Sequence, residues 1–286
     1  MKLLSAVFEL TDSVRRLAFM LLLGAAGAYF TYGILSNLQV ERNNVSIYIH
    51  DPHVAPLSLS IAVLGDLHLP EGLEPLDEFR ELLLEVRAAA PDLVLLVGDY
   101  VRDPRGQSLS GHRENIIEAM KLVDPVPRAI VLGNYESWSN ADDWLTEFER
   151  FSVDALENEV TIFETAKGPI CVRGLGDYFT GRFVYVDYPE ACKNIAKLTI
   201  THDPAGAFDR RMKGLVIAGH THCGQINLPY IGPLWVPTDA PPFAHCGLHE
   251  GDEITVFVTS GVGTSIFPLR IGTQSQWDFI SLSIKD

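Results

Sequence analysis

Aspartate, asparagine and histidine residues follow a series of short apolar runs along the chain. Two Asp, one Asn and four His lie at such positions: Asp66, His68, Asp99, Asn134, His202, His220 and His222. A single Asp or Asn after a strand is often a turn residue. Five strand ends that all carry oxygen or imidazole groups indicate instead that these residues form one site. Their mixed oxygen and nitrogen atoms suit Mn, Fe or Zn better than Ca or a thiolate-bound structural zinc. The pattern therefore predicts a metal site.

The apolar runs are the elements that must position these residues. They cover residues 57–64, 93–97, 129–132, 198–200 and 215–218, and they are rich in Val, Ile and Leu and short enough for buried strands. Open α/β sheets bind ligands outside the carboxyl ends of their strands. Two-residue spacing would point Asp66 and His68 to one side of an extended strand end, and likewise His220 and His222. The two carboxylate oxygens of Asp99 would allow it to bridge two ions.

Segments with helical spacing separate these strands. Residues 76–90 place apolar side chains on one face before Pro91, and residues 114–123 and 142–151 predict two further helices. Residues 255–258 and 279–284 look like strands without a helix between them. This order predicts an α/β domain in which a parallel core is completed by strands of a second sheet.

Length and charge limit the classes of function. A chain of 286 residues, less an N-terminal segment, fits one domain of ordinary size. A net charge of −15 argues against a general nucleic-acid binder, because such proteins usually carry a basic patch. An acidic protein can still bind phosphate if metal ions supply the positive charge.

The four cysteines show no CxxC spacing. We interpret Cys171, Cys192, Cys223 and Cys246 as small buried apolar side chains, with disulfide bonds as the alternative. Cys223 directly follows His222, so it could lie beside a metal ion.

The N-terminal segment, residues 1–45, predicts a membrane anchor. Residues 17–35 contain no charged side chain, and a bilayer span needs about 20 such residues. A cleaved export signal is the alternative, because Arg15 and Arg16 precede the apolar run and the small residues 26–28 resemble a cleavage site. Positive charges lie mainly before the span, which favours a cytoplasmic N-terminus and an exported catalytic domain. A domain on the cytoplasmic side stays possible.

Taken in order, the motifs resemble those of the calcineurin-like metallophosphoesterases. The segments are GDLH at 65–68, GD at 98–99, GN at 133–134, His202 and GHTH at 219–222, and the resemblance extends over residues 46–286. It implies a four-layer αββα sandwich of two mixed sheets, here preceded by one transmembrane helix. The longer segments 201–204, 219–225, 260–264 and 268–271 are similar to a bacterial subgroup with a membrane anchor or export signal. That subgroup implies a single-pass protein of the bacterial inner membrane.

The resemblance also implies a ligand set and a reaction. Asp66, His68, Asp99 and His222 would hold one divalent ion, and Asp99, Asn134, His202 and His220 would hold a second, with Mn, Fe or Zn as candidates. A metal-bound hydroxide would attack phosphorus, as in a phosphodiesterase or pyrophosphatase. The substrate would be a phosphorylated small molecule or a lipid-linked phosphate such as UDP-2,3-diacylglucosamine. A metal-binding protein with weakened catalysis and a general exported phosphatase are the alternatives.

One motif departs from the family pattern. The third motif of the family usually reads GNH, whereas this chain has Gly133-Asn134-Tyr135-Glu136. The phenol of Tyr135, with an ordinary pKa near 10, is a poorer general acid than an imidazole near 6.5. Three interpretations stay open. Tyr135 keeps a donor role beside Asn134 and Asp99; or another group such as His112 or a metal-bound water acts, or the leaving group needs little help; or the protein binds metal without catalysis.

Substrate contacts are less well marked. Arg173, Arg182 and Arg270 are candidates for binding phosphate, although an arginine in an acidic protein more often pairs with a surface carboxylate. Asp177 could line the pocket or cap a turn.

Overall fold

Two mixed β-sheets and an N-terminal helix form the frame of the computed structural model, which describes residues 2–35, 39–105 and 109–285. The first sheet has the strand order β1-β13-β2-β3-β4. Its strands are β1 (Glu41–His50), β2 (Leu57–Leu64), β3 (Leu93–Leu96), β4 (Arg128–Ile130) and β13 (Gln276–Lys285). β2, β3 and β4 run parallel to one another, and β13 is antiparallel to β2.

The second sheet has the strand order β11-β12-β8-β7-β6-β5. Its strands are β5 (Glu159–Thr165), β6 (Gly168–Gly174), β7 (Ala196–Ile200), β8 (Gly214–Ala218), β11 (Gly247–Glu250) and β12 (Ile254–Val258). β6, β7, β8 and β12 are parallel. A small hairpin, β9 (Asn227–Leu228) and β10 (Gly232–Pro233), lies outside both sheets.

The helices cover the outer face of the first sheet. They are α2 (Leu73–Ala88), α3 (Leu109–Met120), α4 (Asn134–Trp138) and α5 (Ala141–Arg150). The apolar face of α2, including Phe79 and Leu83, packs with Leu64 and Leu96 of the sheet. α2, α3 and α5 begin one to five residues before the predicted starts. In α2 the added first turn begins with the exposed Leu73, so the apolar pattern did not mark it.

The main core lies between the two sheets. Ile61, Val63 and Leu95 of the first sheet pack against Val172 and Ile217 of the second. Strands covered on both faces read as nearly continuous apolar runs, which is why the sequence marks them clearly. The prediction of two mixed sheets in an αββα arrangement is confirmed.

Two details of the layering differ from the sequence interpretation. The strand that contains residues 279–284, β13, does not join the second sheet but lies between β1 and β2 in the first. The outer face of the second sheet is covered by short 3₁₀ turns and by the loop that carries Phe183 and Tyr185, which packs near Val216 and Val256. Its helical layer is therefore thin.

The N-terminal segment forms a long helix, α1 (Lys2–Leu35). Within it, Asp12–Gly33 is long and apolar enough to cross a membrane, judged by length and composition. Its described side chains are exposed as far as Tyr32, and Gly33 is buried. A helix of this length whose described side chains are exposed from Asp12 to Tyr32 is consistent with the predicted anchor.

The cysteines form disulfide bonds, so our interpretation of them as free buried side chains is wrong. Cys171 pairs with Cys192, and Cys223 pairs with Cys246. The partners are 21 and 23 residues apart in sequence, and the fold brings their Cα atoms to 6.0 and 4.7 Å. Contacts this distant in sequence cannot be deduced from cysteine spacing alone.

Candidate functional site

The predicted ligands converge where parallel strands of both sheets end. Asp66 and His68 follow β2, Asp99 follows β3, and Asn134 begins α4 after β4. From the second sheet, His202 follows β7, and both His220 and His222 follow β8. All seven side chains are buried, with exposed fractions of 0–4%. The carboxyl ends of the two sheets thus form one polar centre inside an otherwise apolar region.

The backbone at these positions is left-handed rather than extended. Asp66, His68, Asp99, His220 and His222 have φ between 44° and 69°. Such values are uncommon for residues other than glycine and concentrate at functional sites. The extended backbone that we expected at these strand ends is therefore wrong, although Asp66 and His68 do share one group of ligands, as their spacing predicted. His220 and His222 in fact lie in different groups of ligands.

The first group consists of Asp66, His68 and His222, which could hold one metal ion. The Nε2 atoms of His68 and His222 are 3.0 Å apart, and His222 Nε2 is 3.5 Å from Asp66 Oδ1. The Asp66 carboxylate also accepts the backbone N–H of His220, which fixes its orientation.

The second group consists of Asp99, His202 and His220. His202 Nε2 lies 3.4 Å from Asp99 Oδ2, 3.1 Å from Asn134 Oδ1 and 3.2 Å from His220 Nδ1. The other ring nitrogens are engaged outside the group: His202 Nδ1 lies 2.7 Å from the Val97 carbonyl oxygen, and His220 Nε2 contacts the carbonyl of Pro237. Such outer contacts fix the tautomer and leave His202 Nε2 and His220 Nδ1 as potential metal ligands.

Asp99 connects the two groups. Its Oδ2 atom is 3.6 Å from His68 Nε2 in the first group and 3.4 Å from His202 Nε2 in the second. A carboxylate in this position can give one oxygen to each of two ions, or share one oxygen between them.

The ionisation of the cluster fits divalent cations. Burial lowers the pKa of His68 to about 4 and that of His222 well below its usual range, so both imidazoles are neutral at pH 7. Burial raises the pKa of Asp66 to about 7, partly opposed by His202. Burial also acts to raise the pKa of Asp99, but His202 and the other imidazoles bring it to about 2. Burial acts to lower the pKa of His202, but Asp99 and Asp66 hold it well above its usual range, so a cation bound at this imidazole would take the place of a proton. Together with the neutral imidazoles of His68 and His222, the buried carboxylates form a donor set that a metal pair would complete.

Glu136 braces two of the ligand segments. Its Oε2 accepts the backbone N–H groups of Asp99 at 2.8 Å and Gly133 at 2.9 Å, and its Oε1 accepts that of Tyr100 at 2.8 Å. The segments also touch directly, since a Cβ at Gly133 would lie 2.6 Å from the Asp99 nitrogen. The sequence contained a signal for this brace, a glutamate two residues after Asn134, but its partners became visible only in the fold.

Tyr135 lies at the edge of the metal-ligand centre. Its backbone N–H donates to Asp99 Oδ1 at 2.9 Å, its ring meets that of His68 edge-on, and its hydroxyl is 3.1 Å from Ser265 Oγ. Burial raises the pKa of the phenol, so the hydroxyl is protonated and can donate at neutral pH. His112, the alternative proton donor, instead places Nε2 3.1 Å from the Leu69 carbonyl and does not line the cavity at the centre.

The three candidate arginines make structural contacts. Arg173 is buried against Thr199, and Arg182 forms ion pairs with Glu157 and Asp142. Arg270 is buried behind His222 and donates to backbone carbonyls of the 260–263 loop. None of the three lines the cavity at the ligand centre, so the expectation that they bind phosphate is not supported.

Asp177 caps a turn, one of the two roles considered for it. Its Oδ2 accepts the backbone N–H and the hydroxyl of Thr180, while Oδ1 is buried without a hydrogen-bond partner among the described residues. Burial raises its pKa, opposed by the nearby His202 and His220. It is therefore a turn residue that also faces the second ligand group.

A cavity of ≈ 470 Å³ opens from the ligand centre. Polar ligands form its floor and apolar side chains form most of its walls: Tyr135, Trp138, Phe179, Ile226, Leu234, Trp235, Ile266 and Phe267. A second recess shares Tyr135 and Trp138 and is lined by Arg102, Asp103 and Arg105. Apart from Tyr135, sequence reasoning missed both sets of residues, because the motifs that marked the ligands do not extend to these loops.

Relatives share most of this chain. It is 28% identical to the uncharacterized metallophosphoesterase YkoQ of Bacillus subtilis, over 84% of this chain and 89% of YkoQ. It is 26% identical to the phosphodiesterase YaeI of Escherichia coli, over 78% of this chain and 81% of YaeI. It is also 26% identical to a bovine transmembrane protein with metallophosphoesterase domain, over 85% of this chain and 57% of that protein.

A family model settles the assignment. Residues 59–224, more than half of the chain, match the model described as calcineurin-like phosphoesterase. The matched residues contain all seven predicted ligands, and the two His/Asp groups accord with the two divalent ions that serve as cofactors. The chain belongs to the calcineurin-like phosphoesterase family.

Proposed function

We propose that this metal-dependent phosphoesterase hydrolyses a phosphodiester or pyrophosphate bond at a centre that holds two divalent ions. The observation that carries the proposal is the position of Asp99, within 3.6 Å of a histidine from each ligand group. Asp66, His68 and His222 would hold one ion, and Asn134, His202 and His220 would hold the other, with Asp99 between them. When bound, such a pair supplies a nucleophile at neutral pH and offsets charge on the phosphoryl oxygens.

The protein residues position the substrate and control protons. Asn134 and Asp99 are held in register by the Glu136 brace, so the phosphoryl group would meet a rigid set of donors and acceptors. The Tyr135 hydroxyl, oriented by Ser265, would donate a hydrogen bond to the leaving oxygen. This role needs only a neutral phenol, and it helps most when the leaving group is a poor one.

The cavity supports a substrate with an apolar part. Its aromatic and aliphatic walls begin directly at the metal ligands, while Arg102 and Arg105 line the recess on the far side of Tyr135. A substrate with an acyl chain on one side of the scissile phosphate and a charged head group on the other would match this asymmetry. UDP-2,3-diacylglucosamine has that form, and the E. coli relative is named a phosphodiesterase.

We place the catalytic domain on the exported side of a bacterial inner membrane, with α1 as a single span. Two disulfide bonds support this orientation, because disulfides persist in oxidising compartments and are rare in the cytosol. The positive charges before the span favour the same orientation. Protease added to spheroplasts should then degrade the catalytic domain without lysis; protection until lysis would reverse the assignment.

Turnover by metal-stripped protein reloaded with Mn, Fe, Zn or Mg tests the activity. The substrates should be an aryl phosphomonoester, an aryl phosphodiester and UDP-2,3-diacylglucosamine in mixed micelles. Asp99→Asn should abolish turnover and weaken metal uptake, because it removes the charge shared by both ligand groups. Asp252→Asn, at an exposed position, is the matched control.

The outcomes separate the alternatives. Metal uptake without turnover of any substrate would indicate a metal-binding protein with weakened catalysis. Equal turnover of soluble esters and of the lipid substrate would indicate a general phosphatase. Full activity of Asp99→Asn without metal would contradict the proposed centre.

A further inference from the structure

The mouth of the cavity carries an unusual set of exposed apolar side chains. Six of them form what we call the apolar rim: Tyr230, Ile231, Leu234, Trp235, Ile266 and Phe267, with exposed fractions from 59 to 108%. Single exposed apolar residues are common, but a contiguous group usually marks a surface that binds a protein or a membrane.

The rim consists of two arms tied together through the backbone. One arm is the β9–β10 hairpin with the residues after it, and the other is the 264–271 loop. Gln225 joins them, since its side chain bonds Ser265 and its carbonyl accepts the N–H of Ile271 at 2.9 Å. Asn227 in turn donates to the Ile271 carbonyl at 2.7 Å. The six side chains therefore share one supported surface.

The end of α1 packs directly on this surface. Gly33 is buried against the 269–271 segment, where a Cβ on it would lie 2.9 Å from Cγ1 of Ile271 and 3.2 Å from Cδ1 of Leu269. Gly33 is also the last residue of the 22-residue candidate span Asp12–Gly33, whose length of about 33 Å matches the hydrocarbon core of a bilayer. Tyr29 and Tyr32 precede it, and tyrosines favour the membrane interface. The rim is thus adjacent to the point where α1 would leave the bilayer.

The two arms of the rim carry no charged side chain that would oppose contact with lipid. Residues 226–238 and 264–269 contain no charged side chain, although the chain carries a net charge of −15. An anionic leaflet would repel the acidic remainder of the protein surface. The uncharged arms of the rim are therefore the part suited to face the leaflet. The aromatic rings of Tyr230, Trp235 and Phe267 are suited to the region between head groups and acyl chains.

We propose that the apolar rim inserts into the bilayer leaflet at which α1 emerges, so that the cavity opens onto the lipid surface. On the proposed function, the substrate is then an amphiphilic phosphate ester that enters from this leaflet with its acyl chains along the rim.

Lipid quenching of tryptophan fluorescence tests the insertion. The chain has four tryptophans and none lies in α1: Trp144 and Trp277 are buried, whereas Trp138 and Trp235 are exposed. The full-length protein is reconstituted into phosphatidylethanolamine–phosphatidylglycerol vesicles, with or without lipids brominated near the head group. We expect quenching that is lost in Trp235→Phe and retained in the control Trp138→Phe, because Trp138 is exposed and lines both the cavity and the recess but does not belong to the rim.

A second variant changes the rim without removing the probe. Tyr230→Ser with Ile231→Ser replaces two hairpin residues that are exposed and do not line the cavity. The unfolding temperature should stay unchanged, while quenching of Trp235 should fall. Absence of quenching in the wild type, or equal quenching in Trp235→Phe, would overturn the proposal. A dimer that both serine substitutions dissociate, without lipid quenching, would assign the rim to a second copy of the chain instead.

Failure here is separable from failure of the proposed function. Quenching requires neither metal nor turnover, so inactive protein that is quenched contradicts the hydrolase proposal alone. Active protein that is not quenched contradicts the insertion alone.

Discussion

The Glu136→Gln substitution would remove the brace between two metal-ligand segments while nearly preserving side-chain shape. The carboxylate of Glu136 is fully buried and accepts backbone N–H groups from Gly133, Asp99 and Tyr100 at 2.8–2.9 Å. A glutamine has one acceptor oxygen, and its amide nitrogen donates. If the glutamine oxygen still accepts the N–H groups of Gly133 and Asp99, its amide nitrogen faces the backbone N–H of Tyr100. Two donors then oppose each other, and the N–H of Tyr100 loses its acceptor.

The expected loss in the free energy of unfolding follows from the hydrogen bonds that Glu136→Gln removes. Burial and the nearby Asp99 carboxylate raise the pKa of Glu136 to about 7, so the comparison is made at about pH 8, where Glu136 is mostly ionised. A hydrogen bond to a charged group contributes about 1.5–3 kcal/mol, and a buried donor left unpaired adds to the loss. We expect the free energy of unfolding to fall by at least about 2 kcal/mol, which lowers the unfolding temperature of a domain of this size by about 4–8 °C. Because the brace orients Asp99 and Asn134, metal affinity should fall by about 10–100-fold.

The assay compares unfolding of metal-loaded protein with metal titration of the stripped protein. Glu118→Gln, an exposed position on α3, is the matched control and should change neither quantity. The reasoning fails if Glu136→Gln unfolds at the wild-type temperature and binds Mn with wild-type affinity. A loss of stability without a loss of metal affinity would leave Glu136 a purely structural residue.

Three further predictions concern protons, phosphate and disulfides. Tyr135→Phe should slow hydrolysis of alkyl phosphodiesters by about 100-fold or more, and nitrophenyl esters much less, because only poor leaving groups need a donor; an equal effect on both kcat values would contradict the proposed role. Arg102→Ala should raise KM for a pyrophosphate substrate about tenfold with little change in kcat, the loss of one charge-assisted contact; an unchanged KM would remove Arg102 from the substrate site. Replacing Cys223 and Cys246 by serine should lower the free energy of unfolding by about 3 kcal/mol and also weaken metal binding. Replacing Cys171 and Cys192 by serine should lower only the free energy of unfolding, as measured by unfolding and by metal titration.

Sequence reasoning grouped the seven candidate ligands because they all follow strands, five strands in total. Residues 57–64 form β2 as predicted, and Asp66 and His68 follow it at once. The α/β pattern favours parallel neighbouring strands within each sheet. Convergence also required that the two sheets pack with the carboxyl ends of these strands at one edge. The local geometry was not predictable in this way. Left-handed φ values at His220 and His222 send the two rings to different ligand groups, and nothing in two-residue spacing indicates this.

The parts that sequence reasoning missed depend on contacts between distant segments. Cys223 meets Cys246, 23 residues further along the chain, where Thr221 also donates to the His245 carbonyl. Glu136 acts through backbone groups of the Asp99 segment, 36 to 37 residues away. Buried backbone N–H groups must be paired, so the left-handed segments create a need for such partners. Sequence patterns do not identify which side chain meets that need.

The apolar surface at the cavity mouth also depends on contacts between segments that are distant in sequence. The ligands lie at strand ends, where a rigid sheet fixes each one locally. The apolar rim instead comes from residues 226–237 and 264–271, which are joined through hydrogen bonds of Gln225, Asn227 and Ile271. In the sequence these arms look like ordinary loops with scattered apolar residues. Once joined, and with Gly33 of α1 packed beside them, they form a continuous apolar surface next to a metal-ligand cluster. The metal ligands thus depend on the ends of individual strands. The proposed entrance for the substrate depends instead on how two loops and α1 pack together.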